Sequence, residues 1–364
     1  MMVKTLPASS VMLMSCKICR FSSARLTCFN VANILSESFI MKRIVLFFVV
    51  IAALSQARAI ADEKPSILST IRPIHDLVSA VVGDNADATQ LIPDFASPHH
   101  YSLKPSEVRR LNKADLVFRI DTHFETFLEK SLRNVDNDKL VTLSAVKGLT
   151  LLSADHDHED HEDHEDHEDH EDHEDHSKAD DEVHTSDESV DYHLWLSPKN
   201  AKLMALHIRD RIIAIDKTNR AQYEANTEEL IAAIDASDQR IRESMQAVKA
   251  QPFLVMHNAW QYFTEYYELK QLDSITLQER LKPSAKAITS ARQLIKDSNV
   301  KCVVTERGFK LKTLRILVED IDVNTTEIDP MGRHIKQSKH AFPDLLDYTA
   351  KQLVECLSDL TTEK

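Results

Sequence analysis

Residues 155–182 contain a His-Glu-Asp triplet that repeats from His158 to Asp175. Neutral imidazole binds zinc, copper and nickel, and each histidine here has an acidic neighbour that could ligate a metal or orient the ring. A low-complexity acidic segment that binds no metal is the alternative. The number of imidazoles in so short a segment favours metal binding. The eight candidate ligands are His156, His158, His161, His164, His167, His170, His173 and His176.

The same segment carries nearly all of the chain's acidity. Residues 155–182 contain 17 acidic side chains and one lysine, a net charge of −16, whereas the whole chain has a formal net charge of −14. Such a composition cannot bury a core, so we expect residues 155–184 to form a solvated, mobile loop. The rest of the chain has no basic stripe and no aromatic platform, so we expect no nucleic-acid partner.

Three histidines outside the repeat, His99, His193 and His257, stand where a predicted strand gives way to a loop. In open α/β sheets, ligands bind beyond the carboxyl ends of the strands. Two of these histidines fall in the expected N-terminal lobe and one in the expected C-terminal lobe, as a cleft between two lobes requires. Each could by itself be an ordinary structural histidine. Their matching positions favour a site with three imidazoles, which suits zinc better than manganese or iron.

The fourth position of this site is less defined. Glu306 ends a predicted strand in the C-terminal part of the chain and could complete the set of ligands. It could equally form a salt bridge or orient one of the histidines. Water and a histidine from the acidic loop are further candidates, and the sequence leaves all of these open.

The elements that would position these residues alternate as in an α/β protein. Short apolar runs predict strands, and amphipathic runs between them predict helices. Roughly 300 mature residues are enough for two domains. The predicted strands cover 66–71, 88–91, 116–120, 253–255 and 302–305, and the predicted helices cover 74–82, 105–111, 201–215, 287–296 and 311–320.

A helical stretch without Gly or Pro covers residues 219–248. A helix of about 30 residues is about 45 Å long, which is too long for one small domain, so we expect it to bridge two. The tetrapeptide Leu-Lys-Pro-Ser occurs at 103–106 and again at 281–284, and each copy is expected to start a helix with Pro in its first turn. The expected organisation is an N-terminal α/β lobe at 62–215, a linker helix at 216–249 and a C-terminal α/β lobe at 250–364.

The first residues resemble an export signal rather than mature protein. A basic tripeptide at 41–43, an apolar run at 44–54 and a small-x-small site at 57–59 predict a Sec signal peptide over 41–61. The apolar run is too short to span a membrane. We expect residues 1–40 to be a spurious extension from an early start codon. The mature chain is expected in the periplasm, not spanning a membrane.

The cysteines point to one disulfide. Three of the five, Cys16, Cys19 and Cys28, precede the expected mature chain, which keeps Cys302 and Cys356. An even pair in an oxidising compartment favours a bridge, which would join the C-terminal helix to a strand of the last domain. Two buried free thiols are the alternative.

The sequences around the three histidines resemble a known family. Ser-Pro-His-x-Tyr-x-Leu-Lys-Pro-Ser at 97–106, His-Leu-Trp-Leu-Ser-Pro at 193–198 and Val-Met-His-Asn-Ala-Trp-x-Tyr-Phe at 255–263 resemble the histidine motifs of metal-binding proteins that serve bacterial ABC importers (cluster 9, or A-I). The acidic His-rich loop and the late Cys pair are similar to those of the zinc-uptake, ZnuA-type branch. The resemblance covers essentially all of the mature chain.

This resemblance implies two Rossmann-like lobes joined by one long backbone helix, with Zn²⁺ held between them as the transported ligand. It also implies delivery to the membrane permease of an ABC importer driven by a cytoplasmic ATPase. We expect a monomeric binding protein and no catalysis.

Two other functions remain as alternatives. A zinc-dependent hydrolase or lyase is possible because three histidines and an open water position also describe catalytic zinc, but nucleophile, oxyanion-hole and His-Glu-x-x-His motifs are missing. A metal-storage protein or adhesin is the other, and no Cys for lipid anchoring follows the expected cleavage site.

Overall fold

A computed structural model describes residues 17–22, 25–30, 64–94, 96, 101–133, 135–154, 190–276, 283–307, 309 and 311–358. The chain divides into two compact units, Met1–Glu63 and Lys64–Lys364. In the first unit, strands β1 (Lys17–Ser22) and β2 (Arg25–Asn30) pair antiparallel. The expected signal peptide at 41–61 lies outside the described residues. Within the described part of the chain, no helix is both long and apolar enough to span a membrane.

The second unit begins with a four-stranded parallel sheet in the order β4-β3-β5-β6. Its central strands, β3 and β5, are apolar and buried because helices and loops cover both faces of a parallel sheet. Together these elements form the first α/β lobe. They are β3 (Ser66–Ser69), α1 (Arg72–Val82), β4 (Asp87–Gln90), α2 (Pro105–Lys113), β5 (Leu116–Arg119), α3 (Glu129–Leu132) and β6 (Leu140–Thr142), with short 3-10 helices at Thr126–Leu128, Asn137–Lys139 and Leu143–Ala145.

A second parallel sheet, in the order β10-β9-β11-β12, repeats this arrangement. In both sheets the second strand is at one edge, followed by the first, third and fourth. This sheet and its helices form the second α/β lobe. They are β9 (Phe253–His257), α6 (Gln261–Tyr266), β10 (Gln271–Thr276), α7 (Ala285–Asp297), β11 (Cys302–Thr305), α8 (Leu311–Val318), β12 (Asn324–Glu327) and α9 (Ala341–Leu357).

The two Leu-Lys-Pro-Ser copies precede equivalent helices, α2 and α7, each of which connects the second and third strands of its lobe. Helix α2 begins at Pro105, as expected. The expectation that Pro lies in the first turn is wrong for the second copy. Helix α7 begins only at Ala285, because the Ser284 side chain caps it by accepting a hydrogen bond from the Ala287 N–H at 3.0 Å.

Two long helices lie between the two sheets in the chain: α4 (Pro198–Ile215) and α5 (Arg220–Met245). Helix α5 has 26 residues and is therefore about 39 Å long. It packs against α1 and α4 and against α9, the last helix of the second lobe. The expected fold class, two α/β lobes joined by one long helix, is confirmed.

The expected disulfide is present between Cys302 in β11 and Cys356 in α9, with a Cα–Cα distance of 5.6 Å. Both residues are buried. The bridge joins the last helix to a strand of the second sheet, as predicted, and the alternative of two free thiols is wrong.

Two short antiparallel strands come between the first sheet and α4 in the sequence. They are β7 (Leu152–Ser153) and β8 (Val190–Asp191), with Leu152 opposite Asp191. A 3-10 turn at Leu194–Leu196 then leads into α4. The predicted His-rich loop at 155–184, with all eight candidate histidines, lies between β7 and β8 and outside the described residues.

Candidate metal centre

His257 is the last residue of β9, a strand that is buried throughout. Its Nδ1 lies 2.8 Å from Oε1 of Glu306, which directly follows β11, the neighbouring strand. Both side chains are only 3% exposed. The parallel register of β9 and β11 therefore brings these two residues together at the carboxyl edge of the second sheet, where ligands of α/β proteins bind.

His193 is held in a similar way by a carboxylate of the first lobe. Oδ1 of Asp191 accepts a hydrogen bond from the His193 backbone N–H at 2.9 Å and lies 2.7 Å from its Nδ1. The imidazole also contacts the rings of Trp195, with centroids 5.3 Å apart, and of Phe124, at 5.9 Å. These contacts leave the ring few orientations.

The carboxylates determine which nitrogen can bind a metal. An ionised carboxylate only accepts hydrogen bonds, so opposite an ionised Asp191 or Glu306 the imidazole donates from Nδ1. Nε2 is then the nitrogen with the lone pair, and it lies on the other side of each ring. Histidine ligands of metals are commonly oriented by a carboxylate in this way, which also raises their basicity.

The ring centroids of His193 and His257 are 5.1 Å apart, with an interplanar angle of 73°. Two imidazoles that share one tetrahedral zinc, with Zn–N bonds of about 2.0–2.1 Å, have ring centroids about 5 Å apart. The spacing therefore suits a common ion. One ring comes from the first lobe and the other from the second, so the ion would lie between the lobes.

Of the predicted site residues, the structure brings together His193, His257 and Glu306. His99 lies outside the described residues, so its role as a ligand stays a prediction. Among the residues that the structure describes, no three His, Cys, Asp or Glu side chains are grouped as a metal site. A complete site therefore needs a ligand from elsewhere in the chain or from solvent.

From the sequence, Glu306 could be the fourth ligand, or it could form a salt bridge or orient a histidine, with water or a loop histidine in the fourth position instead. Its Oε1 lies at the Nδ1 side of His257, on the opposite side of the ring from Nε2. This is the geometry of an orienting partner.

Two buried carboxylates, Asp191 and Asp329, were not singled out from the sequence. Asp191 could have been recognised from its position two residues before His193. Asp329 follows β12 and is buried, and its oxygens accept hydrogen bonds from the Arg333 guanidinium at 2.8–3.0 Å and from the Met331 backbone N–H at 3.1 Å. Nothing in its local sequence distinguishes it from other loop acids.

A buried ionic cluster lies at the start of α1, beside the carboxyl edge of the first sheet. Arg72 Nε is 2.8 Å from Asp76 Oδ1, and Arg72 Nη2 donates to the Ile335 carbonyl of the second lobe at 2.7 Å. Burial raises the pKa of Asp76 to about 7, although Arg72 opposes this shift. Burial, followed by Arg72, lowers the pKa of His75 to about 4. The cluster thus links the two lobes through Arg72.

Comparison with known proteins identifies relatives whose sequences match most of this chain. The family model for ZnuA, described as zinc-uptake complex component A, periplasmic, matches residues 67–356. The high-affinity zinc uptake system protein ZnuA of Brucella suis biovar 1 (strain 1330) is 34% identical over 313 residues, covering 82% of this chain and 94% of the relative. The protein of the same name from Haemophilus influenzae is 31% identical over 340 residues, covering 87% and 100%.

Solved structures share the fold at lower identity. A crystal structure of ZnuA is 23% identical and superposes with a TM-score of 0.64, covering 81% of this chain and 100% of that one. The periplasmic zinc-binding protein TroA from Treponema pallidum is 14% identical with a TM-score of 0.64, covering 81% and 99%. Both support the two-lobed architecture described above.

Proposed function

Because the chain belongs to the family of periplasmic zinc-uptake component A proteins, we propose that it binds Zn²⁺ between its lobes and delivers it to an ABC-type permease. The observation that carries the proposal is the 5.1 Å spacing of His193 and His257, each held through Nδ1 by a buried carboxylate. The expectation that the chain is a binding component rather than an enzyme is confirmed by its family.

In this proposal the zinc ligands are His99, His193 and His257. Three imidazoles leave one tetrahedral position, which water or a histidine of the acidic loop fills. Glu306 orients His257 and increases its basicity, and Asp191 does the same for His193. The protein acts as a monomer that is exported by its signal peptide at 41–61.

The acidic segment at 155–184 has an auxiliary role in this proposal. Its eight histidines capture zinc, but ordering so polar a segment around an ion costs chain entropy that a preformed cleft does not incur. Each site there is therefore weaker than the cleft. Its charge of −16 attracts divalent cations at low ionic strength.

The ligand assignment is tested by alanine substitution of His99, His193 and His257, one at a time, in protein that lacks residues 155–182. Competition with a chromophoric chelator measures the zinc affinity of each variant. Loss of one protein ligand should weaken binding by more than about 100-fold, because the remaining shell needs another water. His207→Ala, a half-buried histidine on α4, is the matched control and should keep the starting affinity. Near-native affinity in His193→Ala would exclude the site.

The auxiliary role is tested by the same deletion in otherwise unchanged protein. The full chain should bind several zinc ions, one tightly and the others weakly, whereas the deleted chain should bind one tightly. A stoichiometry of one zinc in both proteins would show that the segment is not a metal site.

A further inference from the structure

Tyr262 connects the second lobe to the short strands that precede His193. Its hydroxyl donates a hydrogen bond to the Asp191 carbonyl at 2.7 Å and accepts one from the Leu152 N–H at 3.0 Å. Leu152 and Asp191 are opposite each other in the β7–β8 pair, so the hydroxyl bridges the two strands. Tyr262 itself lies on α6, which follows β9 and its terminal residue His257.

The bridge is buried, which makes its geometry restrictive. Tyr262 is 2% exposed and Asp191 is 5% exposed, so water does not readily replace either hydrogen bond. Burial also raises the pKa of Tyr262, and the hydroxyl therefore keeps the proton that it donates to the Asp191 carbonyl. The position of the Asp191 main chain is thus set from the opposite lobe.

That position determines where the Asp191 carboxylate lies, and the carboxylate holds His193. Oδ1 of Asp191 contacts both the backbone nitrogen and Nδ1 of His193, at 2.9 and 2.7 Å. A binding site needs its ligands within roughly 0.5 Å of the productive geometry, so a small shift of Asp191 changes how well His193 reaches an ion.

We propose that Tyr262 is a positioning residue of the metal cleft, which fixes the Asp191 main chain and, through the Asp191 carboxylate, the orientation of His193. The inference rests on the proposed function, since it needs His193 to bind the metal. It assigns to the second lobe a direct part in orienting a ligand of the first.

The test compares Tyr262→Phe with Tyr266→Phe. Tyr266 lies on the same helix, but its hydroxyl donates to Asp238 at 2.9 Å and takes no part in the bridge. Zinc affinity is measured by chelator competition at neutral pH, together with the pH at which half of the zinc is released. Tyr262→Phe should weaken binding by about 5- to 10-fold and raise the release pH, because a poorly oriented imidazole competes less well with protons. Tyr266→Phe should change neither value.

A second comparison separates positioning from general destabilisation. In the His193→Ala background there is no imidazole for Tyr262 to orient, so adding Tyr262→Phe should cause no further loss of zinc affinity. An equal loss in both backgrounds, or an unchanged affinity and release pH in Tyr262→Phe alone, would overturn the proposal. His193→Ala itself reports on the proposed function: if it keeps native affinity, the ligand assignment fails, whereas if it loses affinity and Tyr262→Phe has no effect, only the positioning role fails.

Discussion

Nδ1 of His257 lies 2.8 Å from Oε1 of Glu306, and the two residues end neighbouring parallel strands of the second sheet. The contact joins residues that are 49 positions apart in the chain. Because the carboxylate occupies the Nδ1 side of the ring, a metal bound to this imidazole would be bound through Nε2. His193 and Asp191 have the same relationship in the first lobe, at 2.7 Å. Each lobe thus contains a histidine with a buried carboxylate at its Nδ1.

Replacing Glu306 by Ala should weaken zinc binding by roughly 10- to 100-fold, the usual effect of removing a carboxylate that orients a metal-binding histidine. Glu306→Gln should lie between this variant and the native protein, since an amide oxygen can still accept the Nδ1 proton. Glu327→Gln, at the exposed end of the neighbouring strand β12, should leave the affinity unchanged. Isothermal competition titration measures all three. A loss as large as that of His257→Ala would instead identify Glu306 as a ligand.

Much of the fold could be predicted from the sequence because apolar runs and helical periodicity were strong where the chain is buried. Strand β11 has the predicted bounds, and the long linker helix was predicted at 219–248 and found at Arg220–Met245. The edge strand β12 was not predicted, because Asn-Thr-Thr-Glu carries no apolar residue and alternates between half-buried and exposed. Strand β10 was not predicted either. It also lies at an edge of the sheet, is mostly half-buried, and has a register shift after Gln271.

The residues of the candidate site likewise fall into those that the sequence could predict and those that it could not. His257 could be singled out because it follows the apolar run at 253–256, at the edge where α/β proteins bind ligands. His193 could be singled out from the motif His-Leu-Trp-Leu-Ser-Pro at 193–198. The partner of His257 could not be chosen from sequence, because only the register of β9 against β11 places Glu306 beside it. Tyr262 was also beyond sequence reasoning, since its hydroxyl acts on main-chain atoms that are 71 and 110 residues away.

Breaking the Cys302–Cys356 bridge should destabilise the protein without removing its zinc ligands. The bridge closes a segment of 54 residues, and disulfides commonly contribute about 2–4 kcal/mol to the free energy of unfolding. We expect a lower melting temperature for the protein in which both cysteines are replaced by Ala, with zinc affinity within about threefold of native. Calorimetry and chelator competition check the two values. Zinc loss equal to that of a ligand variant would mean that the bridge shapes the cleft.

His75 should make the metal-free protein less stable in acid. Burial lowers its pKa in the folded state to about 4, whereas the unfolded chain takes up the proton near pH 6.5. Its contribution to stability is therefore fully present above pH 6.5 and is lost as the pH falls to 4, by up to roughly 3 kcal/mol.

The comparison that isolates this effect is native protein against His75→Gln. Burial raises the pKa of Glu125 to about 7, which acts in the opposite sense over part of the same range, but Glu125 is present in both proteins. Urea unfolding at pH 7, 5.5 and 4 should show the native protein losing stability relative to the variant at each step. A constant difference across the three pH values would contradict the role of His75.

We propose above that one Zn²⁺ lies between the lobes, bound by His99, His193 and His257. Zinc K-edge absorption spectroscopy on the chain without residues 155–182, loaded with one equivalent of zinc, tests it most directly. We expect three imidazole nitrogens and one further light atom at about 2.0–2.1 Å, and a decrease to two imidazoles in His257→Ala. A spectrum with no more than one imidazole, or one that is unchanged in His257→Ala, would contradict it.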